Sequence, residues 1–93
     1  MRSPYRKSPI KHNILLNKSK KHLHSFIDIS IPDGTETLIL DYNFITDFVG
    51  FEQTTDLKKL SMVNNPIVSF AGFPSTPELE SINLQNSPIS FLK

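Results

Sequence analysis

Residues 60–73 read LSMVNNPIVSFAGF, and this stretch decides the fold because its pattern recurs on both sides. Residues 38–51 read LILDYNFITDFVGF, and residues 82–93 read INLQNSPISFLK. The apolar anchors of the three stretches lie 22 positions apart without a gap. A fixed period in the range of roughly 20–50 residues indicates an array in which each unit packs on its neighbours.

A weaker copy of the pattern precedes these stretches. Lys18 and Lys21 stand where the later copies have an apolar residue and an asparagine. A polar, atypical first unit is typical of a terminal cap, since its outer face meets water. We therefore predict a degenerate N-terminal capping repeat over residues 13–34, with irregular structure over residues 13–29 as the alternative. The anchors retained in this copy are Leu16, Leu23, Phe26 and Ile29.

Each unit combines a strand pattern with a long connection. Apolar and more polar residues alternate around residues 37–41, 59–63 and 81–85, which predicts strands with one buried face. The rest of the 22-residue period is long enough to return the chain to the start of a parallel strand. Pro74 and Pro77 argue against a regular helix in the connection. The predicted fold class is an α/β-type stack with a parallel sheet and irregular or 3-10 crossovers.

Two kinds of recurring side chain are interpreted as structural. Asn43 and Asn65 follow the strands, and a side-chain amide offers both donors and an acceptor to turning backbone. We predict that they form a structural ladder, with simple turn formation as the alternative. Apolar columns at the same spacing are predicted to be core, and they consist of Phe48 with Phe70 and Leu92, and of Phe51 with Phe73.

The pattern LxxLxLxxNxI resembles the leucine-rich repeat family, in the 22-residue class of protein phosphatase-1 regulatory subunits. The resemblance covers about residues 13–93, with Thr35 in place of a leucine and Ser87 in place of an asparagine. It implies a short repeat solenoid with the sheet on its concave face. Residues 35–93 then form about two and a half leucine-rich repeats without a C-terminal cap.

The resemblance also implies where a partner binds, because this family uses the concave sheet face for that purpose. Ile39, Tyr42 and Val63 supply an apolar centre within a polar rim, which is how interface energy is usually distributed. The predicted partner-binding residues are Thr37, Ile39, Asp41, Tyr42, Lys59, Ser61, Val63, Asn64, Asn83 and Gln85.

Charge is divided unevenly along the chain. Residues 1–24 hold seven Lys and Arg and no acid, whereas residues 25–93 hold three Lys against nine acids. Such asymmetry indicates a basic arm attached to a folded body. We predict that residues 1–12 are a basic, disordered arm, through which phosphate attraction makes nucleic acid an alternative partner.

Composition argues against several classes of protein. The chain has no cysteine, which excludes disulfides and thiolate metal sites. Its three histidines, His12, His22 and His24, lack a neighbouring carboxylate cluster, and no nucleophile turn or phosphate loop is present. We therefore expect no enzyme activity, metal or cofactor. No run reaches the roughly 18 apolar residues of a membrane span, and no signal-peptide core is present, so we expect an intracellular, cytoplasmic or nuclear protein.

These features predict a non-catalytic protein–protein interaction module, or scaffold, that binds a partner on the concave face. The alternatives are a nucleic-acid-associated scaffold that uses the basic arm, and a fragment of a longer leucine-rich repeat protein. The last predicted strand has an unpaired edge, and exposed edges recruit further strands. We therefore expect self-association through residues 82–93.

Overall fold

The computed structural model describes residues 14–89, which form one sheet of four parallel strands. The strands pair in chain order, so that each one lies between its sequence neighbours or at an edge. Leu38 lies between Leu16 and Leu60 in register, and Leu60 pairs with Ile82. The predicted parallel sheet is thereby confirmed. Its strands are β1 (Ile14–Asn17), β2 (Thr35–Ile39), β3 (Lys59–Ser61) and β4 (Ser81–Asn83).

The strands end earlier than the alternation of residues predicts. Tyr42, Asn64 and Asn86 have φ values of 60°, 61° and 65°, so the chain leaves extended backbone at this position in every unit. Individual hydrogen bonds between neighbouring units continue up to that point. The Tyr42 amide donates to the Val63 carbonyl at 2.8 Å, beyond the end of β2. The predicted bounds 37–41, 59–63 and 81–85 are wrong by two residues at each carboxyl end, and β2 also begins two residues before its predicted start.

The crossovers contain almost no helix. One 3-10 turn spans Phe26–Asp28, where the Ile29 amide donates to the Phe26 carbonyl at 3.0 Å. The same bond recurs 22 and 44 residues later, from Phe51 to Phe48 and from Phe73 to Phe70, both at 3.0 Å. Each crossover thus makes the same tight turn where the sequence places its phenylalanine anchors.

Asn43 joins its own unit to the preceding one. Its Oδ1 accepts hydrogen bonds from the amides of Lys21 at 2.9 Å and Leu23 at 3.0 Å. Its Nδ2 donates to the carbonyl of Lys18 at 3.0 Å and to that of Leu40 at 2.9 Å. The side chain is buried, so it supplies partners to backbone groups that have left the sheet.

Asn65 makes two of these four contacts one unit later. Its Oδ1 accepts from the Ile45 amide at 3.1 Å, and its Nδ2 donates to the Leu40 carbonyl at 2.8 Å. Ser87, which replaces asparagine in the last unit, donates through Oγ to the Leu84 carbonyl at 2.8 Å within its own unit.

The core lies between the sheet and the crossover turns and is densest around β2 and β3. Phe48 is fully buried and stacks on Phe26 and Phe70, with ring centroids 5.5 Å and 5.3 Å away. Phe70 itself is 36% exposed, so the expectation that its whole column is buried is wrong at this residue. The buried apolar residues are Phe26, Leu38, Leu40, Ile45, Phe48, Phe51, Leu57, Leu60, Met62 and Ile67.

Several predictions concern residues that lie wholly or partly outside residues 14–89. The basic arm at residues 1–12 and the last column member, Leu92, lie outside the described residues. The expected self-association surface at residues 82–93 is described only as far as Ile89. Within residues 14–89, no helix is long and apolar enough to cross a membrane.

Candidate interaction surface

The outward face of the sheet carries five of the ten residues predicted to bind a partner. Leu38 and Leu60 point into the core, so the residues before and after them point to the other face. The register aligns these residues in two rows across the four strands. One row consists of Leu15, Thr37, Lys59 and Ser81, and the other of Asn17, Ile39, Ser61 and Asn83. We call these two rows the sheet face.

Asp41 has its hydrogen bonds within the chain. Its Oδ1 accepts from the Ser61 hydroxyl at 2.6 Å and from the Val63 amide at 2.9 Å. The carboxylate therefore bridges the ends of β2 and β3. Ser61 and Asp41, both predicted to bind a partner, are therefore hydrogen-bonded to each other beside the sheet face.

The remaining predicted residues lie around the turns that follow the strands. Tyr42 is 52% exposed, with the Lys20 ammonium 5.4 Å from its ring centroid. Val63 and Asn64 are partly exposed. Gln85 is exposed, and its amide donates to Asn83 Oδ1 at 3.0 Å. These residues extend the sheet face at its carboxyl edge.

Leu15 and Phe44 are exposed apolar side chains beside the predicted site residues, but they are absent from the predicted set. Leu15 is 58% exposed and lies on the sheet face beside Thr37. The alternation that predicts the other strands also predicts that Leu15 faces outward, because it directly precedes the inward-facing anchor Leu16. Phe44 is 48% exposed and stacks with two histidines, a neighbourhood that only the folding of two units creates.

A polar cleft of about 250 Å³ lies away from the sheet face, between residues 31–35 and 52–56. Asp33, Glu52 and Asp56 line it, and the Gly34 amide donates to Asp56 Oδ2 at 3.2 Å. The buried hydroxyl of Thr54 has no hydrogen-bond partner among residues 14–89. Within the part of the chain that the structure describes, no group of three or more histidines, cysteines or carboxylates is placed to hold a metal ion.

Comparisons with known proteins add no relative to this description. No protein-family model matches the chain, and neither the curated proteins nor the solved structures include a significant match.

Proposed function

We propose that the chain is a leucine-rich repeat protein of the 22-residue class, and that it binds a partner protein on the sheet face without catalysis. The observation that carries this proposal is the register of the four parallel strands. It sets side chains from four sequence units side by side on one exposed surface. The hydrogen bonds and crossover turns that recur at intervals of 22 residues support the repeat class.

The chemistry of the sheet face favours a partner with a largely uncharged surface. Leu15, Ile39 and Tyr42 supply apolar area, and the polar residues around them are mostly hydroxyls and amides. Lys59 is the one cation of the two rows, and the Asp41 carboxylate beside them is already hydrogen-bonded to Ser61 and Val63. Apolar anchors within a polar rim are typical of protein interfaces.

The proposal is tested by placing a charge on the sheet face. Full-length chain is immobilised and exposed to an extract of its source cells, and the retained proteins are purified and titrated by calorimetry. Ile39→Glu should lower the affinity of the partner at least about tenfold, because it puts a carboxylate at the apolar centre. Val68→Glu is the matched control, since Val68 is 63% exposed and lies in a crossover.

We expect Ile39→Glu to lose partner binding and Val68→Glu to retain it, while both variants keep the melting temperature of the parent chain. Binding should also change little between about 0.1 and 0.5 M salt, because few charges lie on the sheet face. Equal weakening by both variants, or the absence of any retained protein, would contradict the proposal.

A further inference from the structure

A second surface lies beyond the carboxyl ends of β1 and β2, where two turns meet. The Lys20 amide donates to the Asp41 carbonyl at 3.0 Å, and the Phe44 amide donates to the Leu23 carbonyl at 2.7 Å. These bonds hold the segments 18–24 and 41–44 against each other. They bring together six residues that we call the basic-aromatic patch: Lys20, Lys21, His22, His24, Tyr42 and Phe44.

The rings of this patch form an exposed stack. Phe44 lies nearly parallel to both histidine rings, at 14° to His22 and 17° to His24. Tyr42 and Phe44 are 52% and 48% exposed, so their rings are not buried in the core. Pro66 and Pro88 occupy the position of Phe44 in the next two units. An aromatic ring at this position is therefore found only beside β1 and β2 among these three units.

The two lysines of the patch are in no ion pair within residues 14–89, and the Lys20 ammonium lies over the Tyr42 ring. Lys20 and Lys21 are exposed, and the ion pair present within residues 14–89 joins Lys58 and Glu36 elsewhere. A cavity beside the patch is lined by Lys18 and Lys21 and by one carboxylate, that of Asp28. The patch is therefore basic as well as aromatic.

We propose that the basic-aromatic patch binds single-stranded nucleic acid. Flat exposed rings at near-parallel angles accept unpaired bases by stacking, and histidine, phenylalanine and tyrosine all serve this purpose. Neighbouring lysines attract the phosphates that link those bases. A duplex keeps its bases stacked inside, so it can use the lysines but not the rings. None of the six patch residues belongs to the two rows of the sheet face, and Tyr42 is the one patch residue that is also in the predicted partner-binding set.

The test measures binding of a single-stranded RNA of about 12 nucleotides to the full chain by fluorescence anisotropy. Phe44→Ala should weaken binding about tenfold, because it removes the aromatic side chain on which a base stacks. Val68→Ala, at an exposed apolar residue in a crossover, should leave the affinity unchanged. If Phe44→Ala fails to fold, Phe44→Leu keeps an apolar side chain there and removes only the aromatic face.

The charge contribution is tested with two matched double variants. Replacing Lys20 and Lys21 by Gln should weaken binding and reduce the salt slope by about 0.7 for each phosphate that is no longer neutralised. Replacing Lys58 and Lys59 by Gln removes the same charge at the amino-terminal end of β3 and should have a smaller effect. A matched duplex and a polyglutamate peptide serve as competitors.

Weak competition by both the duplex and the peptide supports the proposal. The proposal would be overturned if the RNA did not bind, or if Phe44→Ala bound it as tightly as the parent chain. Full competition by polyglutamate would also overturn it, because it would indicate a general site for acidic polymers. Ile39→Glu and Val68→Glu each add one negative charge outside the patch, so they should change RNA affinity to the same extent. Because Ile39→Glu alone should weaken binding of the partner protein, failure of the RNA proposal is distinguishable from failure of the proposed sheet-face function.

Discussion

At the scale of single residues, two glycines set the distance between successive crossovers. Gly50 and Gly72 have φ values of 92° and 85°, a region that side chains rarely adopt. A Cβ on Gly72 would lie 2.6 Å from the backbone nitrogen and Cα of Val49. A Cβ on Gly50 would lie 2.8 Å from the nitrogen of Ile27. Glycine is therefore required both by conformation and by close approach of the preceding unit.

Gly72→Ala should destabilise the fold by more than about 2 kcal/mol, because a left-handed alanine and a backbone clash are introduced together. The measurement is chemical denaturation followed by circular dichroism. Ala71→Ser changes the exposed neighbouring residue and should cost less than about 0.5 kcal/mol. Similar stabilities for the two variants would mean that the units do not approach as closely as described.

At the scale of structural elements, the crossover turns and strand ends depend on side chains that bond to the backbone. Ser25, Asp47 and Ser69 lie 22 residues apart, and each accepts a hydrogen bond from the amide two residues later. The distances are 3.2 Å, 3.0 Å and 2.9 Å. This column begins each turn in the same way as a helix N-cap. The recurrence of Ser, Asp and Ser is visible in the sequence, but its role becomes evident only in the folded crossovers.

Asn65→Ala should cost about 2–4 kcal/mol, because it leaves the Ile45 amide and the Leu40 carbonyl without their partner in a buried environment. Asn64→Ala is the control, since Asn64 is partly exposed and its side chain makes no such bond to the preceding unit within residues 14–89. Its cost should stay near about 1 kcal/mol, from the left-handed conformation alone. Thermal melts compare the two, and greater destabilisation by Asn64→Ala would contradict the role assigned to Asn65.

At the scale of the whole molecule, burial falls from the middle of the sheet toward its edges. Leu38 and Leu60 are at most 2% exposed, whereas Leu16 and Ile82 in the edge strands are only partly buried. The phenylalanines of the crossovers show this decrease only toward β4, since Phe26 and Phe48 are buried and Phe70 is 36% exposed. The two central strands therefore bury the most apolar surface and contribute most to the core.

Phe48→Ala should therefore unfold the chain or cost about 3–5 kcal/mol, because it opens a cavity among the other aromatic rings. Phe70→Ala removes a ring of the same size that is 36% exposed, and its cost should be clearly smaller. Thermal unfolding of both variants measures the difference. Equal destabilisation would mean that Phe70 is as fully packed as the column pattern predicts.

The parallel sheet follows from the amino-acid sequence, because a strict 22-residue period leaves each unit the same strand and the same return path. The spacing of Leu38, Leu60 and Ile82 predicts one inward row, and the structure pairs them in that row. The predicted strand ends lie too far along the chain. Alternation reports which face a residue occupies, but it does not report where the ladder of strand hydrogen bonds ends.

Which polar and aromatic groups meet across units depends on the tertiary fold. Asp41 is predicted to contact a partner, yet its carboxylate bonds to Ser61, 20 residues away. Phe44 and His24 belong to no repeating pattern in the sequence, and they stack because two successive turns are held side by side. Periodicity describes what is the same in every unit. The candidate sites arise from side chains that differ between units, and their neighbours are set by packing rather than by spacing.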